Sequence, residues 1–215
     1  MTTTPFRTLI KPYTEIPISR SLLLQLLKKY KDPNDKISQL LKSGALVSLR
    51  RGMYVVGSKL DLPTPNKFLI ANHLRGPSYV SLEAALSYWG MIPENVFEIS
   101  SVTTKSYKTF KNAIGRFSFQ KMNTSYFSYG ITNVVVSAKQ SFLMASKEKA
   151  LCDKIVVSPN LILRSVKQTK AYLIEDLRID LEILQILDTK KMELWIEHAP
   201  KKSSLKVLIK TLHQL

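Results

Sequence analysis

The chain holds one cysteine, three histidines and seven glycines in 215 residues. Each scarcity removes a class of chemistry. A lone Cys152 excludes an internal disulfide and suits a reducing compartment. On a helix between Leu151 and Asp153 it reads as a buried apolar contact rather than a thiol nucleophile. His73, His198 and His213 lie far apart, with no second His or Cys at metal-ligand spacing. Glu148 and Asp153 fall about 140° apart around a helix, poor geometry for a shared metal. No Gly-x-Gly-x-x-Gly or Walker-type loop occurs, so no phosphate-cradling loop is expected. The expectation is a protein without catalysis, cofactor or metal. The uncharged stretch Tyr126–Ala138 is too short to span a bilayer, and Met1–Arg7 carries no apolar signal segment. A cytoplasmic protein is expected.

Negative charge is scarce as well. Thirty-two Lys and Arg face sixteen Asp and Glu, a formal net charge of +16. Self-repulsion of that size is relieved by a polyanionic partner, nucleic acid first and an anionic membrane surface second. The excess is graded: residues 1–60 carry eleven basic and three acidic residues, and residues 161–215 carry ten and seven. Such a gradient suggests an N-terminal nucleic-acid module on a more neutral body.

Residues 34–57 are the most informative stretch. Ile37, Leu40 and Leu41 mark the inner face of a helix, with Lys36, Gln39 and Lys42 opposite and Gly44 as its stop. Apolar, β-branched strands follow over Ala45–Leu49 and Met53–Val56, around an Arg50-Arg51-Gly52 turn. Upstream, Leu22, Leu23, Leu26, Leu27 and Tyr30 form the stripe of another helix, capped by Ser19 or Ser21. Two helices are legible ahead of the hairpin and none in residues 1–18. A basic helix followed by an arginine-tipped hairpin predicts a winged helix-turn-helix over residues 1–60. Lys36, Gln39, Lys42, Arg50 and Arg51 are its expected DNA contacts. Arg fits phosphate and narrow-groove contact through its planar fork.

Leu60–Pro65 reads as a linker, and residues 66–215 as a larger α+β domain with a short antiparallel sheet and flanking helices. Ser78–Val80 is extended and enters a helix capped by Ser81. Period-two patterning runs through Phe97–Val102, Gly115–Gln120, Tyr126–Tyr129 and Gln140–Met144. Between the first two lies Thr103–Lys111, where Lys105, Tyr107, Lys108 and Lys111 form a possible secondary surface of basic and aromatic residues. Helices follow at Ser146–Ile155 and over most of residues 166–212.

Four blocks then add up to a family resemblance: Lys36-Ile-Ser-Gln-Leu-Leu-Lys-Ser-Gly-Ala-Leu-Val-Ser-Leu-Arg-Arg-Gly-Met-Tyr54; Ser78-Tyr-Val-Ser-Leu-Glu-Ala-Ala-Leu-Ser-Tyr-Trp-Gly-Met-Ile-Pro-Glu94; Val102-Thr-Thr-Lys105; and Ala145-Ser-Lys-Glu-Lys-Ala-Leu-Cys-Asp153. In that order they resemble the AbiEi antitoxins of the abortive-infection AbiE systems. The resemblance implies a type IV toxin–antitoxin pair in bacterial phage defence. Its antitoxin neutralises a nucleotidyltransferase-like toxin, without a stable complex as the rule, and represses the shared promoter. Double-stranded promoter DNA with inverted repeats is the implied ligand. Residues 78–90 and 145–153 read as scaffold of the second domain. Two other functions fit the same residues: an orphan winged-helix regulator without a toxin, and a nucleic-acid-processing enzyme.

Overall fold

The computed structural model describes residues 4–215, in a mixed α/β fold with two sheets and two apolar cores. The first sheet belongs to the N-terminal part. Helix α1 (Thr4–Ile10) precedes a two-residue strand, β1 (Ile18–Ser19), which leads directly into α2 (Arg20–Leu26). Helix α3 (Pro33–Lys42) and the strands β2 (Leu46–Arg50) and β3 (Met53–Val56) complete it. The local causes are visible. The Ser19 hydroxyl accepts from the Leu22 amide at 3.2 Å, and the Asp32 carboxylate accepts from the Asn34 and Asp35 amides at 2.9 and 3.0 Å. Pro33 stands just after that cap, where its missing N–H costs nothing.

The three strands are antiparallel in the order β1-β3-β2, with Ile18 opposite Tyr54 and Leu46 opposite Val56. The turn between β2 and β3 needs a left-handed residue, and Gly52 supplies it at φ +77°. Phe6, Ile10, Ile18, Leu23, Leu27 and Leu40 fill the smaller core. Helix α1 corrects the expectation that residues 1–18 hold no helix. It is seven residues long and its apolar residues, Phe6, Leu9 and Ile10, span barely more than one turn, too short to register as a period.

The remainder is built on a six-stranded sheet. Helix α4 (Lys67–Leu74) leads through β4 (Ser78–Val80) into α5 (Leu82–Tyr88). Strands β5 (Glu98–Thr103), β6 (Lys108–Asn112) and β7 (Gly115–Lys121) follow, then a single helical turn, α6 (Thr124–Phe127). Strands β8 (Ile131–Ser137) and β9 (Gln140–Ala145) lead into α7 (Lys147–Val157). The tail comprises α8 (Val166–Ala171), α9 (Leu181–Gln185), α10 (Thr189–Ile196) and α11 (Lys202–Leu212).

The strand order is β6-β7-β5-β4-β9-β8, with β5 parallel to β7 and β4 parallel to β9. The sheet is therefore mixed, where an antiparallel one was expected. Alternation reports which face a residue takes and not which strand it pairs with. Strand β6 intervenes as a hairpin partner and returns β7 alongside β5 in the same direction. Tyr126 falls in α6 rather than in a strand, and β8 begins five residues later. Four of the nine residues of the Thr103–Lys111 segment lie in β6, and Thr103 closes β5. Among the described residues, no helix is long and apolar enough to cross a membrane.

Candidate nucleic-acid interface

Of the expected contact residues on α3, Gln39 and Lys42 are exposed and Lys36 is not. The buried stripe runs through Lys36, Ile37 and Leu40, so residues 36 and 37 straddle its centre. Lys36 is only 7% exposed, and its ammonium lies 5.1 Å from the centre of the Tyr30 ring. Its methylene stem covers apolar surface and its charge is held by the aromatic face. This corrects its placement on the outer face with Gln39 and Lys42. Gln39 donates to the Asp35 carboxylate at 2.7 Å, so the outward face begins acidic and ends basic at Lys42.

Arg50 and Arg51 are exposed at the β2–β3 turn. They do not project into open solvent alone. The Asn112 amide donates to the Leu49 carbonyl at 3.0 Å, tying β2 to the end of β6. This contact brings the two basic clusters of the sequence together. Arg50, Arg51, Arg75, Lys105 and Lys108 surround one cleft of about 480 Å³, with Phe110 and Leu74 as its apolar part. No acidic residue lines it. The Arg75 guanidinium reaches the Ser106 carbonyl and hydroxyl at 2.8 and 3.0 Å, while its Nε is buried without a partner. Lys105 donates to the Gly76 carbonyl at 2.5 Å, and the Lys108 ammonium lies 5.2 Å from the centre of the Phe110 ring. Tyr107 and Lys111 are exposed nearby in sequence, but they do not line the cleft.

Arg75 is the residue that sequence reasoning missed. It ends α4 just before Gly76-Pro77, and only the fold links it to Arg50 and Lys105.

The second surprise lies inside. Residues 78–90 and 145–153 meet in a buried ionic network. Asp153 accepts from the Ser81 hydroxyl at 2.7 Å and the Tyr79 hydroxyl at 2.9 Å, and its other oxygen is 3.1 Å from the Lys149 ammonium. Lys149 also donates to the Tyr126 carbonyl at 3.0 Å, beneath the Tyr126 ring. Lys149 and Asp153 are both 0% exposed. Burial pushes the Asp153 carboxyl above its usual range, with Lys149 and the two hydroxyls pulling the other way, and it pulls Lys149 down. Burial also raises Tyr79 and Tyr126, and it pushes the Cys152 thiol up to about 12.

Ser81 was expected to cap α5. Its hydroxyl is spent on Asp153 instead, and no side-chain cap forms. The next residue, Leu82, takes φ +56°, a conformation costing a bulky residue on the order of 1–3 kcal/mol. The Ser100 hydroxyl holds this corner, accepting from Ala84 N and donating to the Ser81 carbonyl.

The histidines take up separate places. His198 stacks on Tyr129 with ring centres 5.3 Å apart, His213 shares a hydrogen bond with Thr189, and burial lowers the pKa of His73. Among the described residues, no group of three or more His, Cys, Asp or Glu is placed to hold a metal ion.

No family model and no curated protein matches the sequence. Among solved structures, the chain is similar to the RV2827C protein from Mycobacterium tuberculosis, with a TM-score of 0.62 at 11% sequence identity. The match covers 98% of this chain and 76% of that one. At such low identity the likeness is one of fold.

Proposed function

We propose that the chain binds duplex DNA through α3 and the β2–β3 turn, as a winged helix-turn-helix, and serves as an autorepressing antitoxin of the AbiEi kind. The observation that carries the DNA reading is the N-terminal topology joined to its charge. Helix, short strand, two helices and a hairpin, with strands ordered β1-β3-β2, is the order of elements in a winged helix. Its arginine turn opens onto a cleft without acids. Gln39 and Lys42 are exposed on the helix before the hairpin, which supports a major-groove contact, and the exposure of Arg50 and Arg51 supports a backbone contact beside it. Arg75, Lys105 and Lys108 extend the phosphate-facing surface beyond the hairpin.

The antitoxin role rests on the four sequence blocks that resemble the AbiEi family. Two of them supply the Tyr79–Ser81–Lys149–Asp153 network, which suits a scaffolding part in that family.

Two measurements test this. Replacing Arg50 and Arg51 together with Ala is expected to weaken binding to a duplex carrying the upstream promoter. It should also flatten the plot of log affinity against log salt by about one to two units, since each lost phosphate contact removes about 0.9. An unchanged slope refutes the hairpin as a DNA contact. Where a nucleotidyltransferase-like toxin is encoded beside this chain, co-expression with that toxin is expected to restore growth, and failure to do so removes the antitoxin reading while leaving DNA binding intact.

A further inference from the structure

We propose that the cleft between the β2–β3 turn and the Arg75–Lys108 wall is a binding site for a free polyphosphate chain, such as that of a nucleoside triphosphate, which competes there with duplex DNA. Five cations converge on about 480 Å³ with no acid among the lining residues. Charge decides between ligands. A duplex backbone offers one negative charge per phosphate, so a single phosphate dipping into the cleft leaves most of that charge unmatched. A terminal phosphate monoester carries about two negative charges and each further phosphate of a chain adds about one, so a triphosphate brings about four.

The donors are also arranged for it. Ser106 holds the Arg75 guanidinium in place through Nη2, which fixes that cation at the wall of the cleft. Gly76 fixes the Lys105 ammonium in the same way. Such anchored cations lose little freedom on binding. Phe110, half-buried among the lining residues, gives an apolar surface against which a nucleoside can pack. Because Arg50 and Arg51 form one wall, a bound polyphosphate takes up the two arginines assigned to the duplex. Competition therefore rests on the DNA-binding reading, whereas polyphosphate binding does not.

The test is calorimetric titration of the full chain with ATP, AMP and inorganic triphosphate, without divalent metal and at matched ionic strength. ATP is expected to bind at least tenfold more tightly than AMP. Arg75→Gln with Lys105→Gln should lower ATP affinity at least tenfold, while Lys167→Gln with Lys170→Gln, the same charge change on α8, leaves it within twofold. Inorganic triphosphate weaker than ATP assigns part of the site to the nucleoside; equal affinity assigns it to the phosphates alone. ATP no tighter than AMP, or equal losses in the two double variants, overturns the site, because either result is diffuse charge attraction. In a second arm, with both chains loaded to the same fraction of bound duplex, ATP is expected to release duplex from the wild-type chain at a lower concentration than from the Arg75/Lys105 variant, whose own duplex affinity is also reduced. ATP binding with no duplex binding under any condition would sink the DNA reading and leave the site standing. Duplex binding that ATP does not disturb would end the competition.

Discussion

Lys149→Met is expected to destabilise the protein in a way that depends on pH, and the structure sets both the size and the sign. Methionine matches the lysine stem in a position that is 0% exposed, so packing changes little. What is lost is the positive charge 3.1 Å from Asp153 and the hydrogen bond to the Tyr126 carbonyl. Removing one partner of a buried ion pair costs about 3–5 kcal/mol. Here the low end is expected, because the Ser81 and Tyr79 hydroxyls still donate to the carboxylate. About 3 kcal/mol corresponds to roughly 6–12 °C in Tm for a chain of this size.

The sign follows from Asp153. Its folded-state pKa is already raised by burial, and loss of Lys149 raises it further. A folded-state pKa above the unfolded one means that the native state holds the proton more tightly, so stability is lost as pH rises through the folded value. The cost of Lys149→Met should therefore be largest near pH 7 and shrink toward pH 4. Lys149→Met with Asp153→Asn removes both charges while an amide oxygen still accepts from the hydroxyls. That double variant should return to within about 1–2 kcal/mol of wild type. Urea unfolding at pH 4, 5.5 and 7 reads all three chains, with the slope checked for constancy. A double variant no more stable than Lys149→Met, or a penalty that ignores pH, would show that uncompensated charge is not the cause.

Three further outcomes are expected. Lys36→Met should leave duplex affinity and salt slope unchanged while Lys42→Ala lowers both; a loss with Lys36→Met would return that ammonium to the DNA. Gly130→Ala should cost about 2–4 kcal/mol by urea unfolding, because a Cβ there would meet the Trp195 ring at 1.8 and 2.4 Å from a backbone at φ +61°; a wild-type midpoint would contradict the tight packing around that residue. Cys152, buried and with its thiol pushed up to about 12, should resist iodoacetamide at pH 8 in the native protein and react fully in urea; rapid native labelling would mean that α7 opens.

Much of the N-terminal part is legible in the sequence because local signals agree there. Asp32-Pro33, the leucine stripe of α2, Gly44 and the Arg-Arg-Gly turn each specify their own element, and neighbouring elements pair. Lys36 shows where the reading fails: a helical wheel assigns lysine outward by its charge, whereas its stem and Tyr30 allow it inward. Strand partners in the larger sheet were not legible, since β5 lies parallel to β7 across the β6 hairpin and no residue pattern encodes that order. The basic surface was legible only in pieces. Arg51 and Lys105 are 54 positions apart, and no periodicity joins them. The i, i+4 spacing of Lys149 and Asp153 on α7 is plain in the sequence, but the pair's complete burial depends on Tyr79 arriving from β4 and Ser81 from the corner that follows it.

The two faces of the hairpin explain why its arginines belong to the cleft as much as to the small core. Leu46, Tyr54 and Val56 pack with α1–α3, whereas Leu49 and Val55 pack into the larger core. Successive side chains of a strand point to opposite faces, so β3 is gripped by both cores at once. The Asn112–Leu49 hydrogen bond fixes the same ribbon at its edge. Moving the Arg50–Arg51 turn relative to Arg75 and Lys105 would thus uncover apolar surface in one core or the other. The mutual repulsion of the five cations is held in place by that packing, since no acid among the lining residues offsets it. An anion entering the cleft relieves repulsion already present in the folded state, and it spends no binding energy on bringing the two walls together. The basic surface is for that reason preorganised: the side chains that order it lie beneath the hairpin, at Leu49, Val55 and Asn112, and carry no charge themselves.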